Sequence, residues 1–218
     1  MKTTHLYQKE VTLQADRRQI SAELIKIISD LWYEKSIEIV LFRNQLIDKN
    51  VSEILNLHEY AGAFVGKPIS IFNSIDIARA LSEIQLPPSK LDIGKLTYEF
   101  GLEEDKYPSA RYFVMEKLKK AKSSKEINPK DVVLYGFGRI GRLLARELVS
   151  KTGKGDQLRL RAIVIREKND AITLEKRASL LRYDSIHGDF MGSVVADAEN
   201  NALIINGTTV HVISANSP

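Results

Sequence analysis

Apolar residues recur at intervals of three and four through the first half of the chain and give way to short unbroken runs in the second. From about residue 17 to 118 the spacing predicts helices. Ile20, Leu24, Ile27, Ile28 and Leu31 share one face, with Asp30, Glu34 and Lys35 on or near the polar side. A second dense run holds Ile37, Ile39, Val40, Leu41, Phe42, Leu46 and Ile47, followed by Val51, Ile54, Leu55, Leu57 and Tyr60. It predicts a central helix or a pair of them; a strand over 37–42 is the alternative, and helix is the preferred reading. Gly62, Gly66 and Pro68 interrupt the pattern. Asn73 and Asp76 then offer caps to a short helix through Ile77, Ala78, Ala80 and Leu81, which Pro87 and Pro88 end. Ser89 and Asp92 open a stretch with Leu91, Ile93, Leu96 and Tyr98, and a last helical segment holds Ala110, Phe113, Val114 and Leu118. Trp32, Tyr33, Tyr60, Tyr98 and Phe100 lie scattered among Leu and Ile, which marks them as packing residues rather than a platform for stacking bases.

Residues 119–130 are polar and rich in Lys, without apolar periodicity, and read as a linker. The expected division is therefore a helical N-terminal domain over 1–118, a linker over 119–130 and a second domain over 131–218. That second domain opens with Val132, Val133, Leu134 and Tyr135, a run suited to a parallel strand covered on both faces. Gly136-Phe137-Gly138-Arg139-Ile140-Gly141 follows in the form GxGxxG, and Leu143, Leu144, Leu148 and Val149 continue as an amphipathic helix. Strand, glycine turn and helix in this order predict dinucleotide binding: the first glycine permits the turn, the second lets backbone approach a pyrophosphate, and the third lets helix pack on strand. The helix N-terminus supplies free N–H groups and the positive end of its dipole. The fold class is accordingly α/β, an all-helical N-terminal domain followed by a partial Rossmann-like dinucleotide-binding domain.

Residues 158–165 predict a second strand, and a helical stretch ends near Leu181. Beyond it, Val194-Val195, Leu203-Ile204-Ile205, Val210 and Val212, separated by Asn200-Asn201 and Asn206-Gly207, predict a small antiparallel meander. Arg166 and Glu167 follow the second strand where this fold offers an acid to the adenosine ribose. Glu167 suits the hydroxyls of NAD, and Arg166 suits the 2′-phosphate of NADP. Residues 151–182 hold nine basic and four acidic side chains, Lys168 and Arg182 among the former, so NADP is slightly favoured over NAD.

Composition narrows the chemistry further. The 218 residues are 44% hydrophobic with a formal charge of +4, too mild a balance to call for nucleic acid. There is no cysteine, which removes disulfides, thiolate-ligated metals and thiolate catalysis from these residues. The four histidines, at 5, 58, 187 and 211, show no metal-ligand spacing, and His187 beside Asp184 and Ser185 reads as structural rather than as a general base. No apolar run is long enough to span a membrane and no secretory leader opens the chain, so a cytoplasmic location is expected. No catalytic and no metal-ligating residue is assigned.

Tyr135-Gly136-Phe137-Gly138-Arg139-Ile140-Gly141-Arg142 resembles the NGFGRIGR opening of glyceraldehyde-3-phosphate dehydrogenases, differing at the first position, and Leu181-Arg182-Tyr183-Asp184-Ser185-Ile186-His187-Gly188 resembles the family's YDSxHG segment. The resemblance covers residues 131–218. Phe42-Arg43-Asn44-Gln45-Leu46-Ile47-Asp48 and Leu91-Asp92-Ile93-Gly94-Lys95-Leu96-Thr97 are similar to the N-terminal extension of a long bacterial branch. What the resemblance implies is the phosphorylating oxidation of glyceraldehyde 3-phosphate with NAD or NADP and inorganic phosphate, in a homotetramer. It also implies backbone contact from Arg139 and Ile140 to the pyrophosphate. Arg166-Glu167 stands where the family usually carries Asn-Asp. Because the family attacks its aldehyde with a cysteine, the chain reads as the N-terminal portion of such an enzyme, inactive alone. A self-contained dinucleotide-binding regulatory module without catalysis is the alternative.

Overall fold

The computed structural model describes residues 2–119, 121, 128–167 and 170–215, and side chains from residue 6 onward. The chain forms two compact units, Met1–Ile127 and Asn128–Pro218. Residues 120 and 122–127 of the expected linker lie outside the described residues.

The first unit runs α1 (Lys2–Lys35), β1 (Ile37–Leu41), β2 (Asn44–Gln45), α2 (Val51–Val65), α3 (Ile71–Ser82), β3 (Ser89–Asp92) and α4 (Ile93–Glu103), then a 3-10 turn at Glu104–Lys106 and α5 (Ala110–Lys117). It is not all-helical. A small sheet of order β2-β1-β3 stands where a helix over 37–47 was preferred, with β3 parallel to β1. The physical reason is local: Ile37, Ile39 and Val40 are β-branched, which favours strand. Phe42 and Arg43, with φ of 45° and 73°, then make a two-residue hairpin of left-handed residues. Such turns usually carry Asn-Gly, so Phe-Arg conceals this one. Asp92 ties the hairpin to the next crossing, accepting from the N–H of Phe42 at 3.0 Å and from that of Lys95 at 3.1 Å as the cap of α4. Gly94 fits there because a β-carbon would come within 2.7 Å of the Phe42 ring. The two segments that carry the N-terminal resemblance thus meet in one corner.

Helix α1 starts earlier than its apolar stripe suggested, and residues 6–19 carry no buried side chain. Its stripe begins to pack at Ile20; Leu24, Ile28 and Leu31 are in the core with Ile37, Leu41, Ile54, Ile77 and Phe113. Ser70, not Asn73, caps α3, and a capping box of Asn50 and Glu53 opens α2. Trp32 and Phe100 are buried and Tyr98 packs on the core, whereas Tyr33 and Tyr60 are exposed.

The second unit runs β4 (Lys130–Tyr135), α6 (Arg139–Ser150), β5 (Leu158–Ile165), α7 (Ala171–Arg182), β6 (Tyr183–Asp184), β7 (Gly188–Asp189), β8 (Val194–Asp197), β9 (Ala202–Ile205) and β10 (Thr208–Ser214). Its main sheet has the order β4-β5-β10-β9-β8. The β4-β5 and β5-β10 pairs are parallel, and β8, β9 and β10 form the antiparallel meander. Asn201, Asn206 and Gly207 supply the positive φ its two turns require. Ile163, Leu203, Ile205, Val210 and Val212 pack with Ala145 of α6 and with Leu174, Ala178 and Leu181 of α7. Val133, Val195 and Ile213 remain exposed, so the sheet carries an apolar residue on several strands outside this core.

Helix α6 is fastened to the β6-β7 hairpin by two arginines one turn apart. Arg146 donates to the carbonyls of Leu181, Arg182 and Gly188 at 2.7–3.2 Å, satisfying carbonyls at the C-terminal end of α7 that lack helical partners. Arg142 lies 3.7 Å from the carboxylate of Asp184. Asp184 in turn accepts from the backbone N–H of His187 at 2.9 Å and of Ile186 at 3.0 Å, and faces the His187 Nδ1 at 3.0 Å. The backbone N–H of His187, then its ring, then the Ile186 N–H hold this carboxyl far below the ordinary carboxylate range. The YDSIHG segment is therefore a carboxylate-centred turn that anchors the helix behind the glycines.

A carboxyl whose folded pKa lies below its unfolded value stabilises the fold above that unfolded value, and the contribution drains away as pH falls beneath it. We expect D184N to be less stable than the parent at neutral pH, with a gap that closes as pH drops below about 4. Urea midpoints measured as a pH series check this. A gap that stays constant to about pH 2 would exclude the anchoring role.

Candidate functional site

The turn between β4 and α6 is built from three glycines with different tasks. Gly136 leaves the strand at φ 96°, a conformation that other residues rarely adopt, while its N–H donates to the Val164 carbonyl at 2.8 Å. Gly138 is the N-cap of α6 with no side-chain cap, and a β-carbon built at either 136 or 138 would meet no atom within 4 Å. Gly141 is the reverse case: its β-carbon would stand 2.2 Å from the Gly136 carbonyl oxygen. The helix therefore rests directly on the turn.

The first turn of α6 has no intrahelical carbonyl for the N–H groups of Arg139, Ile140 and Gly141; the first such bond recorded runs from Arg142 N–H to Gly138 at 3.0 Å. Space above glycine backbone, donors with no side-chain cap and the positive end of a helix dipole suit a diphosphate, so the residues present fit a dinucleotide. Arg139 and Ile140 turn their side chains to solvent, with Ile140 76% exposed. Phe137 goes the other way, its ring buried in the core, so only its backbone remains at the turn.

Arg166 and Glu167 come to the same end of the sheet because β4 and β5 are parallel, with Tyr135 opposite Val164. The Arg166 guanidinium lies over the Tyr135 ring at 5.7 Å and its Nε is 3.4 Å from the Tyr135 hydroxyl. Glu167 pairs with Arg177 of α7 at 2.6 Å yet stays 77% exposed. Neither Tyr135 nor Arg177 was singled out from the sequence; the strand-end position of Tyr135 was the available signal. Four of the nine basic residues of 151–182, Lys151, Arg159, Arg177 and Arg182, each meet a carboxylate within 2.8 Å. Lys168 lies outside the described residues. At the end of β5 the charge nearest Tyr135 is that of Arg166.

His187 belongs to the Asp184 turn and His211 to β10, and His58 is buried in the first unit. Among the described residues no group of three acidic, His or Cys side chains is placed to hold a metal, and no helix is long and apolar enough to cross a membrane.

Residues 130–218 match the family described as "Glyceraldehyde 3-phosphate dehydrogenase, NAD binding domain". A glyceraldehyde-3-phosphate dehydrogenase-like protein of Pseudomonas aeruginosa (strain UCBPP-PA14) is 40% identical over 202 residues, 89% of this chain and 43% of the relative. That match is longer than the second unit and so includes much of the first. Glyceraldehyde-3-phosphate dehydrogenases of Bacteroides fragilis and Mycoplasma pneumoniae are 38% and 40% identical over 87 residues, 40% of this chain and 23% of each relative. The chain thus spans less than half the length of these relatives. Its second unit is an NAD-binding domain of the glyceraldehyde-3-phosphate dehydrogenase type, and the chain is glyceraldehyde-3-phosphate dehydrogenase-like.

Proposed function

We propose that this chain serves a phosphorylating glyceraldehyde-3-phosphate dehydrogenase by holding the pyrophosphate of its nicotinamide cofactor on the turn Gly136-Phe137-Gly138-Arg139-Ile140-Gly141. The observation that carries the reading is the division of labour among the three glycines, open above 136 and 138 and closed beneath 141. The bound cofactor supplies the hydride acceptor. The residues of this chain supply position: backbone N–H groups of Arg139 and Ile140 meet the diphosphate, and Arg166 and Glu167 stand at the strand end beside the adenosine ribose. The strand order supports the same assignment, since β4, β5 and β10 lie side by side as the first, second and third strands of one mononucleotide-binding half. Glyceraldehyde 3-phosphate, inorganic phosphate and homotetramer assembly belong to this proposal as properties of the intact enzyme. A self-contained regulatory module is the second reading, favoured by the compact first unit that the Pseudomonas relative shares.

Between the two cofactors, Glu167 is already engaged by Arg177, whereas Arg166 carries its charge at the strand end against an aromatic ring. Acceptance of NADP alongside NAD follows from that difference, through a charge-assisted bond from Arg166 to the 2′-phosphate.

Titration of the chain with NAD, followed by amide shifts in NMR, tests the turn. Shifts centred on 136–141 are expected, and G141A should lose them, because the added carbon forces helix and turn apart at a cost of about 1–3 kcal/mol. Unchanged binding by G141A would remove the site from 136–141. For the ribose end, R166A should lower NADP affinity about tenfold relative to NAD, as the loss of one charge-assisted bond implies; an unaltered ratio refutes the role of Arg166. Finally, a hemithioacetal needs a thiolate and these 218 residues contain no cysteine, so the purified chain with glyceraldehyde 3-phosphate, phosphate and either cofactor should form no reduced cofactor. A measurable rate overturns that expectation.

A further inference from the structure

In the first unit a cleft of about 640 Å³ opens between α1, α2 and the loop leading into α3. That volume is in the range of small-molecule sites, roughly 300–1,000 Å³. Leu55, Ile69 and Phe72 give it an apolar wall, and its charged lining is Arg17 on α1, Glu59 on α2 and Lys67 in the loop. Several cations elsewhere in this unit are matched, Lys26, Lys49, Arg79, Lys90 and Lys117 each meeting a carboxylate within 3.1 Å. Among the described residues Arg17, Glu59 and Lys67 make no ion pair. Two cations and one carboxylate leave the cleft with a charge of 2 − 1 = +1.

His58 also lines the cleft, and its bonding decides what kind of site this is. The Ile54 carbonyl, 2.8 Å from Nδ1, only accepts, so Nδ1 carries the proton and Nε2 accepts from the Ser74 hydroxyl at 3.0 Å. Ser74 continues to Thr97 at 3.3 Å, and all three side chains are buried. Burial lowers the His58 pKa and keeps the ring neutral. With both nitrogens engaged, the imidazole has none left for a metal or a substrate proton. The cleft is equipped to bind, not to react.

We propose that this cleft binds a small monoanion with an apolar body, a carboxylate bearing a medium-length hydrocarbon portion, whose charge meets Arg17 and Lys67 while the hydrocarbon lies along Leu55, Ile69 and Phe72. A neutral hydrophobe leaves both cations unmatched, and a dianion brings an excess charge against Glu59. One negative charge balances the lining.

Calorimetric titration of the whole chain with decanoate, decanol and decyl phosphate, each below its micellar concentration, tests this. Decanoate should bind one to one and more tightly than either of the others. The exposed-surface double variant R17E/K67E should weaken decanoate at least tenfold, and A63W, which fills the cleft from an exposed helix position, should abolish it with far-UV circular dichroism unchanged. Decanol binding as well as decanoate, decyl phosphate binding better, or decanoate retained by A63W would each overturn the proposal. Should A63W fail to fold, unchanged decanoate affinity in R17E/K67E is sufficient to overturn it.

Discussion

A β-carbon at position 141 would stand 2.2 Å from the carbonyl oxygen of Gly136, and the geometry of the second unit follows from that closeness. Two segments of backbone touch where any side chain would hold them apart. Because the helix can sit directly on the turn, its first N–H groups lie at the sheet end, beside the strand that leads to Arg166 and Glu167. A side-chain cap at 138 would satisfy one of those donors and close the same space. Gly138 offers none, which leaves the donors for an outside anion.

Closeness at one end of α6 needs restraint along its length. Ala145, Leu148 and Val149 pack it against the core, and Arg142 and Arg146 hold it to the hairpin that follows α7. The arginines act on groups with little freedom to move: helix-end carbonyls in one case and, in the other, a carboxylate held by two backbone N–H groups and an imidazole. A planar fork meeting fixed acceptors loses little rotational freedom per bond formed. The second family-like motif is thus coupled to the first by charge and hydrogen bonds through one helix, although Asp184 follows Arg142 by 42 positions in the chain.

Much of this was readable before any coordinates, for reasons that differ by residue. Glycines at 136 and 141 announced themselves because a substitution at either fails for a backbone reason, a positive φ at 136 and a clash with the Gly136 carbonyl at 141, and backbone reasons leave a fixed spacing. The meander was readable because Asn201, Asn206 and Gly207 are the residue types that tolerate positive φ. The hairpin at 42–43 was not, because Phe and Arg occupy left-handed positions with none of the usual signals, held by Asp92 from fifty residues away. Arg142 and Arg146 were equally hidden: an arginine on a helix surface has the same local signature whether it faces water or a set of carbonyls. The cap of α3 was hidden for a similar reason, since Asn73 and Ser70 are both competent cap residues and Ser70 takes the position, with Ile71 buried directly after it.

The strand order gives the glycine turn its final constraint. In the doubly wound dinucleotide fold the strand before the turn is central, and the crevice for the ligand forms where the order reverses on its other side. Here β4 pairs with β5 alone among the described residues, so the turn has one flank of that crevice. That flank carries Arg166 and Glu167, the residues proposed to face the adenosine ribose. At the proposed site a diphosphate would meet backbone donors and a helix dipole with little enclosing surface, and donors open to water are weaker than the same donors in a dry crevice. Covering the edge of β4 that is free among the described residues, where Val133 and Tyr135 are exposed, would therefore strengthen such binding without changing a single contact to the diphosphate.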